Sequence, residues 1–186
     1  PSAPAEGRSV RLAKVLRAAV LFLAGVIIAL TATMHHVVAF DVMIVLVTLV
    51  LIGVATIVEY LVNRGTAESW WIAARAVVAF GAAGALLAVT DAVGLALVIA
   101  LWAALTAAIT LMRLVRGVQP RRVALPSLLL SIALTVLVIL VAQDPIAVTG
   151  FFGAYAIIRG VFLGISAFEA APSAQPNTSD ADAIER

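Results

Sequence analysis

Six stretches of this chain are too long and too apolar to rest in water, and short turns tie them into three pairs. They cover residues 16–34, 42–61, 70–89, 92–112, 123–141 and 146–168. Crossing a bilayer takes about 20 mostly apolar residues. Each stretch must be helical, because lipid offers its backbone no hydrogen-bond partner. Both faces are apolar, so helical periodicity is weak, as in membrane spans. The chain is 64% hydrophobic and 12% charged over 186 residues, against roughly half and a quarter in a soluble domain. No room remains for a large soluble domain. The predicted fold is all-α: a polytopic membrane bundle of six transmembrane helices arranged as three repeated helical hairpins. A basic cytoplasmic segment (1–15) precedes the membrane domain (16–169), and a disordered cytoplasmic tail (170–186), rich in Pro, Ser and Asp, follows it.

The connections carry the topology. The turns at 35–41, 90–91 and 142–145 are tight, so each joined pair is an antiparallel hairpin. The links between hairpins are polar and turn-prone, with Asn63-Arg64-Gly65 in one and residues 113–122 in the other. Basic residues decide orientation. Arg8, Arg11, Lys14 and Arg17 precede or open the first span, Arg64 lies in the first link with Arg75 just inside the third span, and Arg113, Arg116, Arg121 and Arg122 lie in the second link. The hairpin turns hold no Lys or Arg. Both termini are therefore expected in the cytoplasm of a plasma membrane, with Tyr60, Trp70 and Trp71 in the inner aromatic belt. A cleaved signal peptide would also begin with basic residues and an apolar run. Met34-His35-His36 is a poor cleavage site, and cleavage would break the first hairpin.

The hairpins read as copies of one unit. Asp41, Asp91 and Asp144 mark the turns (91 − 41 = 50, 144 − 91 = 53), and aligning the outgoing helices places Gly53, Thr106 and Gly160 in register. Such periods point to duplicated supersecondary units, although any chain of hairpins repeats at about this spacing. Each turn aspartate is expected to cap an outgoing helix through its first free N–H groups. Asp144-Pro145 is the clearest case, with Pro at the first helical position.

Helices in lipid associate through small residues and close packing. Ala100 and Ala104 belong to an alanine ladder in the fourth span, and Gly160 and Gly164 form a GxxxG in the sixth. Contact within one bundle is the structural reading; a homodimer seam along the sixth span is the sharper one.

Chemistry is thin. Arg159 lies well inside the sixth span, where a charge costs at least about 2.5 kcal/mol unless it is paired or snorkels. Glu59 is its nearest plausible partner, so Arg159 and Glu59 form a candidate intramembrane polar pair. His35 and His36 at the first external turn are candidate pH sensors, with a solvated turn as the bland alternative. Two histidines do not make a metal site, and the chain has no cysteine. No phosphate loop, HExxH or G-x-S-x-G is present, so no catalytic residue, metal or cofactor is assigned. A formal charge of +2 gives no reason to expect nucleic acid as a partner.

Residues 49–60 (LVLIGVATIVEY) and 153–168 (GAYAIIRGVFLGISAF) resemble the recurring glycine-containing helix of the HdeD family, small bacterial inner-membrane proteins with six spans built from repeated hairpins. The resemblance runs over 16–168, with Thr106 departing from the glycine in the middle unit. It implies a non-enzymatic role in envelope or acid-stress physiology, through self-association or a membrane partner, and it supplies no catalytic residues. A small permease or channel lined by Arg159 and Glu59, and an accessory subunit of a larger membrane complex, are the alternatives. The bilayer is the one partner common to all three.

Overall fold

The computed structural model describes residues 3–35, 37–66 and 68–169. Six helices account for nearly all of them: α1 (Ala3–Leu30), α2 (Val38–Val62), α3 (Ser69–Leu86), α4 (Ala92–Val115), α5 (Arg121–Leu140) and α6 (Pro145–Glu169). A single 3-10 turn, Ala32–Met34, lies between α1 and α2. Each helix contains a segment long and apolar enough to cross a membrane, and there is no strand among the described residues. The chain is a multi-pass membrane protein. α1 runs through Arg8, Arg11 and Lys14 without a break. Tail residues 170–186 lie outside the described residues.

Local chemistry explains the ends. Asp144 Oδ1 accepts hydrogen bonds from Ile146 N (3.0 Å) and Ala147 N (3.1 Å), and Pro145 opens α6 where no N–H is needed. The end of α4 is closed by Gly117 at φ 69°, with Val118 N bonded to Arg113 O (3.0 Å) and Gly117 N to Leu114 O (3.1 Å). That pairing satisfies two terminal carbonyls and requires a left-handed residue, hence glycine. Two expected caps differ. Asp91 holds the cap position of α4, but its side chain makes no capping hydrogen bond. Asp41 lies inside the first turn of α2, where Val37 takes the cap position, and it is fully buried.

The helices close into a ring in chain order, because α6 packs against α1. The tightest interfaces are α1–α6, α2–α3 and α4–α5, which lie between hairpins and not within them. Small residues make them close. A Cβ on Gly25 would stand 2.5 Å from Gly153 O, and one on Gly160 would stand 2.7 Å from Phe22 N. A Cβ on Gly53 would stand 2.8 Å from the ring of Phe80. The sixth span's glycine face is therefore occupied by α1 of the same chain, which removes the expected homodimer seam there. Gly164 is half-buried, with Ala18 Cβ 4.0 Å from its Cβ position. In α4 the expected ladder fades: Ala100 is buried, Ala104 half-buried and Ala108 exposed. The face that packs instead follows Ile99, Ala103, Thr106 and Thr110, at helical spacing.

Burial recurs around the ring. In the outgoing helices the buried positions 45, 48, 49, 52 and 53 of α2 return at 99, 102, 103, 106 and 107 of α4, and at 152, 155, 156, 159 and 160 of α6. In this burial pattern Ala107, and not Thr106, stands with Gly53 and Gly160, and a small residue occupies all three places. It also separates the turn aspartates. Asp91 and Asp144 correspond to Val37 (91 − 54 = 37, 144 − 107 = 37), and Asp41 lies one helical turn further in. In the ingoing helices Ala18, Leu21 and Ile28 match Ala76, Ala79 and Leu86 at one offset (76 − 18 = 58), which sets Arg17 opposite Arg75.

Candidate functional site

Polar groups gather in the half of the bundle nearest the two links, here the basic end; the three hairpin turns mark the opposite, turn end. Arg17 of α1 donates from Nη1 to Glu59 Oε2 of α2 at 2.9 Å, and both are buried. Arg113 of α4 reaches Glu68 in the α2–α3 link at 3.4 Å. The expected Arg159–Glu59 pair does not form. Glu59 is taken by Arg17, and Arg159 Nη1 donates to Ser131 Oγ (3.3 Å) and Ser127 O (3.4 Å) of α5. Arg159 is only 4% exposed, with its guanidinium 5.6 Å from the ring centre of Tyr155, one turn earlier on the same face. The Ser131 hydroxyl gives its proton to Ser127 O (3.0 Å), so the contact between Ser131 Oγ and Tyr155 Oη (3.3 Å) has tyrosine as the donor.

Arg17, Arg75 and Arg159 come from three helices and line one cavity of about 10 Å³, with Thr56, Thr106, Tyr155 and an apolar floor of Leu21, Ile52 and Trp102. Ile52, Thr106 and Arg159 are the same position of α2, α4 and α6 in the burial register, so the cavity lies where the three outgoing helices converge. Arg159 is 14 residues past Pro145 and 9 before Phe168, about 21 Å and about 14 Å along the axis. Toward the turn end the interior is filled by Val45, Leu49, Leu95, Ile99, Val148 and Phe152, all fully buried. Trp102, edge-on to Phe152 and Tyr155 at 5.6 Å each, separates the two halves.

A second polar contact lies at the turn end. His35 is 2% exposed, not solvated, and its Nδ1 is hydrogen-bonded to Asp41 Oδ1. Its Nε2 is 3.0 Å from Ile28 O. A carbonyl only accepts, so Nε2 carries a hydrogen. The Nδ1–Oδ1 contact then needs one further proton, on the ring or on the carboxylate, because otherwise a lone pair would face a carboxylate. His36 lies outside the described residues. No group of three His, Cys, Asp or Glu arranged to hold a metal occurs among the described residues.

Sequence reasoning found Arg159 and Glu59 but not the part played by Arg17 and Arg75, which read as orientation signals beside the membrane. A signal was present: each is followed five residues later by a phenylalanine, Phe22 and Phe80, beside the glycine of an outgoing helix. The chain matches no family model, no curated protein and no solved structure.

Proposed function

We propose that this chain is a non-enzymatic integral membrane protein similar to HdeD, seated in a bacterial plasma membrane with both termini in the cytoplasm. In this reading it acts in envelope or acid-stress physiology, through self-association or a membrane partner. The observation that carries it is the buried His35–Asp41 contact, which joins the end of α1 to the start of α2 at the turn end. The charge rule turns that end outward. Histidine is the side chain whose ordinary charge change lies nearest to physiological pH, so an imidazole–carboxylate contact is the kind of element on which external acid acts first. Among the described residues the other groups around the ring are Ile28 O, the Thr31 hydroxyl (3.4 Å) and the Phe40 ring (5.5 Å between centroids).

The test is survival at low external pH in a strain lacking the gene. Restoration by the wild-type chain but not by His35→Gln or Asp41→Asn, at equal membrane abundance, is the expected result. Equal survival with and without the gene would end the acid-stress reading. A permease is the second reading, favoured by the polar cavity beside Arg159. Its mark is solute flux into liposomes carrying the purified chain, above that into empty liposomes. The apolar fill between the cavity and the turn end weighs against it.

A further inference from the structure

We propose that the cavity between Arg17, Arg75 and Arg159 binds a single small inorganic anion of the chloride class, reached from the basic end. Three guanidinium groups line it, and the one carboxylate beside them, Glu59, is already bonded to Arg17. The local balance is two positive charges in excess, inside a helical bundle built to lie in lipid. Buried cations in such a setting are stabilised by a counter-charge.

The hydrogen-bond inventory points the same way. A guanidinium has five N–H donors and no acceptor. Arg159 spends Nη1 on two neutral oxygens at 3.3 and 3.4 Å. Arg17 Nε is buried without a partner, and Arg75 makes no hydrogen bond among the described residues. Thr106 adds a hydroxyl donor. Thr48, Thr56, Thr110, Ser131 and Thr135 each give their hydroxyl proton to the carbonyl four residues earlier. Thr106 makes no such bond among the described residues, and it faces the cavity. Donors from α1, α3, α4 and α6 thus converge on one point.

Size selects among anions. A volume of about 10 Å³ admits about one water-sized particle. A halide meets that limit with little adjustment, whereas a phosphate group would have to push helices apart. The packed apolar half toward the turn end leaves the basic end as the route, where Arg75 is half-buried and the others are buried.

The probe is chloride itself. The purified chain in detergent is titrated at fixed ionic strength with gluconate as the balancing anion, and the chloride-35 line width is followed. Saturable, protein-dependent broadening is expected. Arg75→Gln should weaken it about tenfold or more, the loss expected of a charge-assisted hydrogen bond. Arg11→Gln, exposed and away from the cavity, should leave it unchanged. Thr106→Val, which removes one hydroxyl at nearly constant shape, serves as a second variant and should also weaken binding. Absence of saturable broadening in the wild type would overturn the assignment, as would equal broadening in Arg75→Gln and Arg11→Gln. Thermal stabilisation by phosphate but not by chloride would overturn the small-anion class.

Discussion

Replacing Gly25 by alanine should destabilise the protein even though alanine is the better helix former. The added Cβ would stand 2.5 Å from Gly153 O and 2.8 Å from Ile157 N, both backbone atoms of α6. Ordinary contact begins at 3.4 Å, so α1 and α6 must part by close to the difference, about 0.9 Å. A gap of that size forfeits a quarter to a half of the dispersion energy of each contact it opens. The α1–α6 seam is the most extensive interface in the bundle and holds Leu21, Ile28, Phe152 and Ala156, all buried. Overpacking of this kind costs about 1–3 kcal/mol and sometimes more. The helix-propensity gain is at most about 1 kcal/mol. With the full propensity gain the net loss reaches about 2 kcal/mol at the upper end of that cost, which lowers the unfolding temperature by roughly 4–8 °C in a chain of this length. Gly81→Ala is the control, since nothing lies within 4 Å of its Cβ position. It should leave the unfolding temperature unchanged or raise it by about 2–4 °C. Thermal unfolding in detergent, followed by the tryptophan fluorescence of the chain, compares the two. If Gly25→Ala proved as stable as Gly81→Ala, the close α1–α6 seam would be refuted.

Two further outcomes follow from single contacts. Asp144→Ala should cost about 0.5–2 kcal/mol, because it removes the acceptor for two N–H groups of α6. Asp91→Ala should cost much less, since Asp91 makes no capping bond; equal losses in thermal unfolding would contradict the assignment. Glu59→Leu should cost about 3–5 kcal/mol by leaving Arg17 buried without its partner. The double variant Arg17→Met, Glu59→Leu should recover most of that loss, and a double-mutant cycle showing no coupling would refute the ion pair.

The six spans, their hairpin connections and the cap at Asp144 follow from the sequence, because each depends on local properties. A run of about 20 apolar residues must be helical in lipid whatever its neighbours do. Asp144-Pro145 starts a helix by contacts within three residues. The family resemblance, by contrast, rests on apolar segments with a few glycines, and such segments carry little distinguishing chemistry.

Placement of the charges was decided by the tertiary structure. Glu59 has arginines within reach on several helices; it meets Arg17 across the first hairpin, and Arg159 is left to Ser127 and Ser131 of α5. Asp41 stood in a plausible row of turn aspartates. The burial register moved it one helical turn inward, where it meets His35 and not its own helix's first N–H groups. The same register replaced Thr106 by Ala107 at the tight interface and turned Thr106 toward the cavity. Sequence determines which segments enter the bilayer, because the solvent acts on each segment alone. Which faces meet depends on small residues on separate helices fitting together, and that is settled only when the ring closes.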